Sequence, residues 1–209
     1  QCAAARHLLE IEPDFHIGMV DDIREAAELA ARDKLLEPAV LAIIASTAAV
    51  IRRLRSGLSR VATEFPILWE IAGNIADLKH LEGNINICIA PDGELLDTAS
   101  AHLATVRRQI KLQRQQLVAN LEGFIHSTHG QKIVQDPIVT EREGRYVIPV
   151  KIEAKKEIRG IIHDVSNTGA TAFIEPFTAI EQGNELRELI NEEKREIERI
   201  LKELSREVG

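Results

Sequence analysis

The sequence predicts a mainly α-helical chain with one small β insert, and three observations carry that expectation. Aromatic residues make up only 3% of the 209 residues, so the core must be built from Leu, Ile, Val and Ala, which suits helix packing better than a β-sandwich. Apolar residues recur with helical spacing through most of the chain. Between about Gly130 and Phe177 that spacing gives way to alternation and Gly-containing turns. With 44% apolar and 28% charged residues the composition is that of a globular protein, not a disordered one.

Taken in order, Asp21 and Asp22 precede an Ala-rich amphipathic stretch to Arg32. Pro38 is placed for the first turn of a helix reaching Leu58, and Thr63 with Pro66 opens a third helix. That third segment holds the single Trp69 beside Ile67, Leu68 and Ile71, a core pattern rather than a ligand platform. The run AVLAIIASTAAVI, residues 39–51, is shorter than the ~20 residues a membrane helix needs and leads into Arg52 and Arg53, so it reads as a buried core helix.

Pro91, Asp92 and Gly93 mark a turn. Beyond it Ser100 is placed to cap a helix of roughly 28 residues ending near Ser127. Leu103, Ile110, Leu117 and Phe124 recur every seven residues, with Val106 and Leu121 between them, as in a coiled-coil seam. A second long helix, from about Thr178 to Val208, repeats the pattern with Ile190, Ile197 and Leu204, and with Leu186 and Ile200 in the other seam position. The first carries Arg107, Arg108, Lys111 and Arg114 against Glu122, a net +3, while the second has nine Glu against six Lys or Arg. Opposite charge beside matching seams predicts an antiparallel pair in which the acidic helix neutralises the basic one. The expected layout is a helical body with an outgoing long helix (1–127), a β-rich insert (128–177) and a returning helix (178–209).

Within the insert, Tyr146, Ile148, Val150 and Ile152 alternate with other residues, Glu143-Gly144 is a turn, and Ile161-Ile162 and the stretch from Thr171 to Ile174 are β-rich. The last two are joined by Ser166-Asn167-Thr168-Gly169, with Gly169 free to take positive φ.

The net charge of −7 opposes bulk attraction to nucleic acid, so any such surface must be a local patch. Cys2 and Cys88 are too few and too far apart for a disulfide framework and read as free core thiols in a reducing, cytoplasmic setting. His163, Asp164 and Ser166 are the residue types of a nucleophilic triad. They lie within four residues, however, with strand alternation turning His163 away from Asp164, whereas triads draw partners from separate elements and need an oxyanion hole. The segment therefore reads as a hairpin, with no catalytic residue. His126, His129 and Asp136 loosely resemble metal ligands, but their place at a helix end favours hydrogen bonds to its last carbonyls; no metal ligand is assigned. Neither Gly-rich nucleotide cradle, G-x-x-x-x-G-K or G-x-G-x-x-G, occurs in the sequence, and no enzyme activity is expected of these residues.

Candidate binding residues lie in the insert. Between Glu141 and Glu175 it holds Arg142, Arg145, Lys151, Lys155, Lys156 and Arg159 against six acids, yet residues 151–159 gather four of the cations and only two acids. Such a loop can reach phosphates. The alternative is a solvated strand edge guarded by lysines against aggregation.

Three stretches, GRYVIPVK (144–151), GIIHDVSNTGATAFIEP (160–176) and NELRELINEEKREIERILKELS (184–205), together resemble the second bacterial branch of the MutS DNA mismatch repair superfamily. DIREAAELAARDKLLEPAVLAIIASTAAVIRRLRSGL is similar, more loosely, to that family's helical core, and the opening QCAAAR, with no initiator Met, reads as a piece of a longer protein. The resemblance implies a lever, formed by the helical body and both long helices, and a clamp, formed by the β insert. The clamp would close on the backbone of duplex or branched DNA without sequence specificity, in mismatch repair or suppression of recombination. ATP and magnesium, a nuclease-like activity and homodimer contacts are implied for other domains of the full-length protein. Gripping stalled ribosomes or another protein partner, or serving purely as a coiled-coil spacer, stand as alternatives. The family's His-Asp-Ser and Ile-Glu-Pro residues are matched at His163, Asp164, Ser166, Ile174, Glu175 and Pro176, for which the resemblance implies no catalytic role. The loop EAKKEI, 153–158, departs from the family pattern.

Overall fold

A computed structural model describes residues 2–12, 15 and 17–209 of the chain. Among the described residues there are eight α-helices and one four-stranded antiparallel sheet. The chain forms two compact units, one of Gln1–Ala101 with Ile197–Gly209, the other of His102–Glu196.

The first unit contains α1 (Cys2–Ile11), α2 (Arg24–Ala31), α3 (Pro38–Arg60), α4 (Pro66–Gly73) and α5 (Lys79–Cys88). Pro38 opens α3 as predicted. The apolar run in α3 is core, with Leu41, Ile44, Ala45, Ala48 and Val50 buried, as are Ile85 and Ile89 at α5. No helix of the described residues is long and apolar enough to cross a membrane. At α2 and α4 the expected side-chain caps are replaced. α2 starts at Arg24 with no side-chain cap; the Asp22 carboxylate instead accepts from the Arg24 backbone N–H (3.1 Å) and Nε (2.8 Å), and these bonds lower its pKa to about 2. α4 starts at Pro66 behind an uncapped Phe65, because a proline leaves one fewer N–H in need of a Thr63 cap.

The sequence gives little sign of α5, whose KHLEGNINIC interrupts helical spacing with Gly and Asn. Tertiary bonds hold it. Arg52 of α3 grips Glu82 with both ends of its guanidinium, at 2.7 and 3.0 Å, and Asn84 donates to Glu207 at 2.8 Å. The Arg52 hydrogen bond holds the Glu82 carboxyl below its ordinary value. A depressed carboxyl contributes stability above its unfolded-state pKa and loses it as pH falls through the folded value. Glu82→Gln is therefore expected to lower the thermal midpoint slightly at pH 7 and to leave it nearly unchanged near pH 3, in melts recorded at both.

The end of α8 (Phe177–Val208) closes this unit through Ser205. Its buried hydroxyl accepts from the Leu36 N–H (2.9 Å) and donates to the Leu201 carbonyl (2.7 Å). Ile200 and Leu204 are buried as the seam predicted, whereas Ile197 is half-buried. The predicted turn is present, with Gly93 at φ +87°. Cys88 is a half-buried free thiol whose pKa is raised by burial, with Glu207 and Glu203 adding to it; the side chain of Cys2 lies outside the described residues.

The second unit pairs α6 (Ala101–His126) with α8 and adds α7 (Gly130–Ile133), β1 (Thr140–Arg142), β2 (Arg145–Lys151), β3 (Gly160–Val165) and β4 (Thr171–Pro176). Arg107 bonds Glu193 at 2.8 Å, Gln113 bonds Glu185 and Asn120 bonds Gln182 at 2.9 Å. Rising numbers meet falling ones, so the helices are antiparallel as predicted. Leu103, Val106, Ile110, Leu117 and Leu121 are buried, but the next buried residue is Ile125 rather than Phe124. A helix of 3.6 residues per turn drifts off a strict seven-residue repeat, and that drift moves the stripe on by one position. Leu186 is buried and Ile190 only half-buried.

Charge neutralisation between the helices is much weaker than predicted. Of the four basic residues on α6, Arg107 pairs with Glu193, whereas Arg108, Lys111 and Arg114 are exposed and take part in no ion pair among the described residues. The apolar seam and a few polar bonds suffice to join the pair.

The sheet order is β1-β2-β4-β3. Arg142 faces Arg145 across a two-residue turn in which Glu143 and Gly144 both have positive φ, 52° and 75°, the geometry that matches strand twist in a tight hairpin. β2 does not alternate between core and solvent: Val147 and Ile148 are both fully buried. Pro149 is tolerated inside it because its carbonyl accepts from the Gln135 N–H, away from the β4 ladder, so the missing proline N–H faces that side too. Ile152 lies beyond β2, in a short 3-10 turn.

Candidate nucleic-acid interface

The basic loop 151–159 leaves β2 and returns as β3, pinned from below. Ala154 and Ile158 are buried in the core formed by α6, α8 and the sheet. Three backbone bonds close it: Ile152 N–H to Ala170 carbonyl, Glu157 N–H to Ala154 carbonyl, and Phe177 N–H to Arg159 carbonyl, at 2.9, 2.9 and 3.0 Å. His129 lies 3.2 Å from the Glu157 carbonyl through Nε2 and meets Phe124 edge-on. It therefore supports the loop rather than capping α6, whose end is closed by Ser127 bonding the Phe124 carbonyl.

The six candidate cations divide into two groups. Lys155, Lys156 and Arg159 are exposed and make no ion pair among the described residues. Lys151 is half-buried and donates from Nζ to the Lys132 carbonyl at 3.1 Å, which keeps its charge unneutralised. Arg142 and Arg145 are engaged within the fold. Arg142 pairs with Asp164 at 3.3 Å and lies 4.0 Å over the Phe173 ring. Arg145 donates to Glu175 at 3.2 Å and to Asn184 at 2.7 Å.

Glu175 is the centre that sequence reasoning missed. Its carboxylate is 3% exposed and accepts from Arg145 on one oxygen and from His163 Nε2, at 2.7 Å, on the other. His163 reaches it because it is the extra residue of a β-bulge between Ile162 and Asp164, and a bulge re-aims a side chain. Gly183 in α8 leaves room for the cluster: a Cβ there would lie 2.9 Å from Glu175 Oε1. The available signal was one acid in an otherwise apolar strand end. No triad forms, for Asp164 is held by Arg142 and by the Val165 N–H, and Ser166 accepts from the Thr171 N–H. Gly169 takes φ +73° in that turn, as predicted.

The sequence holds no phosphate-cradling Gly-rich loop, and no group of three His, Cys, Asp or Glu side chains among the described residues is placed to hold a metal ion.

Fold and loop together define a mainly helical chain carrying a small antiparallel sheet and a loop whose Lys155, Lys156 and Arg159 are exposed and outside any ion pair among the described residues. Over 205 residues the chain is 42% identical to the endonuclease MutS2 of Pelotomaculum thermopropionicum, covering 98% of this chain and 26% of that protein. It is 39% identical over 205 residues to the endonuclease MutS2 of Symbiobacterium thermophilum, with the same coverage, and 41% identical over 193 residues to that of Clostridioides difficile, covering 91% of this chain and 24% of the relative. The chain thus spans about a quarter of the length of the curated relatives it matches. No family model matches it.

Proposed function

We propose that this chain is the lever-and-clamp part of a MutS2-type, cytoplasmic, DNA-binding ATPase, and that its β unit holds the phosphate backbone of duplex or branched DNA. The observation that carries this reading is the loop 151–159, where Lys155, Lys156 and Arg159 are exposed without ion-pair partners on a backbone anchored by buried Ala154 and Ile158. Lys151 extends the positive surface. Arg142 and Arg145 act indirectly, holding the hairpins that present the loop. Contacts to phosphate position a protein without reading sequence, which suits mismatch repair or suppression of recombination. In this reading ATP hydrolysis, any strand cleavage and dimer contacts belong to other parts of the longer protein.

The test is fluorescence-anisotropy titration of a duplex by this chain across a series of KCl concentrations, beginning near 50 mM. Lys155→Gln/Lys156→Gln/Arg159→Gln is expected to weaken binding and to reduce the log–log salt slope by about 0.9 for each phosphate no longer neutralised. Unchanged affinity and slope in that variant would overturn the assignment.

A further inference from the structure

We propose that one flank of the α6–α8 pair is a second phosphate-backbone surface, formed by Arg108, Lys111 and Arg114 of α6 with Arg187 and Lys194 of α8, along which duplex nucleic acid lies. The inference rests on the polyanion reading above and extends it to a surface away from the basic loop.

All five side chains are exposed and none joins an ion pair among the described residues. The helix's own stability does not account for them. Like charges at i,i+3 and i,i+4 weaken a helix, and Arg107, Arg108, Lys111 and Arg114 contain three such spacings while Glu193 neutralises only Arg107.

The pair is electrostatically two-sided. One flank is a groove lined by Gln109, Leu112 and Gln113 of α6 and by Glu185, Glu188 and Glu192 of α8. At about 100° per residue, Lys111 and Arg114 lie roughly 150° around α6 from the groove positions, and Arg187 and Lys194 lie about 180–200° around α8 from Glu185. Both sets therefore fall on the opposite flank. The antiparallel register, with Arg107 at Glu193 and Gln113 at Glu185, brings Arg187 level with Lys111 and Lys194 within a turn of Arg108. From Arg108 to Arg114 the row is ~9 Å long, the axial rise of roughly three nucleotides at ~3.4 Å per strand. A polyanion would be drawn to this flank and repelled by the acidic groove, so it lies on one side only.

The experiment uses this chain with a duplex of about 30 base pairs over the same KCl series. Variants are Arg108→Gln/Lys111→Gln/Arg114→Gln, the loop triple variant, their combination, and Arg108→Lys/Arg114→Lys as a charge-preserving control; Gln and Lys are both good helix formers, and circular dichroism verifies folding. The α6 triple variant is expected to bind about tenfold more weakly near 50 mM salt with a shallower slope, the combination more weakly still, and the Lys control like the parent. Parent-like binding and slope in the α6 triple variant overturn the inference and leave the loop reading intact. Weaker binding in the α6 variant with no change in the loop variant sinks the loop reading and supports this surface. No duplex binding by the parent near 50 mM overturns both. Competition by polyglutamate as strong, per charge, as by duplex would make the flank a site for acidic protein and overturn the nucleic-acid assignment.

Discussion

Glu175→Ala is expected to destabilise the β unit by about 3–5 kcal/mol, the range for leaving a buried charge without its partner. The carboxylate is almost fully enclosed and serves Arg145 and His163 at once, each only 17% exposed. Removing it strands a guanidinium that keeps only the Asn184 bond. In thermal melts the shift should be on the order of 10 °C, with weaker amide-exchange protection across β3 and β4. Glu175→Gln, which keeps the shape and a hydrogen-bond acceptor, should fall between. The paired change Arg145→Met/Glu175→Leu should recover much of the stability, because exchanging a buried ion pair for well-packed apolar groups is often close to neutral. A melt for Glu175→Ala within about 2 °C of the parent would show that the cluster contributes little.

Alanine at Gly160 is expected to cost about 2–3 kcal/mol, through steric strain alone, since no existing interaction is removed. A Cβ there would lie 2.4 Å from the Glu175 carbonyl oxygen and 2.6 Å from Ile174 Cγ2. The first residue of β3 must then move away from Pro176, its partner in β4, and the adjoining loop 151–159 moves with it. Lower stability and weaker duplex binding should therefore appear together, by urea unfolding and anisotropy. Gly123→Ala in α6 is the control, since nothing lies within 4 Å of the Cβ position. There the change should add about 0.5–1 kcal/mol by relieving the helical penalty of glycine. Equal effects at the two glycines would refute the steric account.

Much of the architecture was legible because its signals are local. The Glu143-Gly144 turn, the Pro38 helix start and the two long helices follow from residues a few positions apart, and each is present. Where a second element decides the outcome, local signals failed. α5 carries Gly83, Asn84 and Asn86 and is held by Arg52 and by a bond to Glu207. β2 shows alternation in sequence yet is buried on both faces: Ile148 and Val150 join the core that includes residues of α6, and Val147 on the other face, opposite Thr140 of β1, is fully buried too.

The candidate site divides in the same way. The concentration of Lys151, Lys155, Lys156 and Arg159 is visible in nine residues, but Arg142 and Arg145 look equivalent to them until Asp164, 22 residues on, and Glu175, 30 residues on, arrive beside them. The same holds on α6, where Arg107 is satisfied by a residue 86 positions away and its neighbours are not.

By itself the sequence determined most of the elements: the long helices, one β insert, tight turns, an antiparallel seam and the supply of charge. Only the tertiary structure decided which charges are consumed within the fold and which are left to face a partner. Helices, strands and turns are chosen by steric and hydrogen-bonding preferences within a few residues, whereas an ion pair depends on short distances between side chains far apart in the chain.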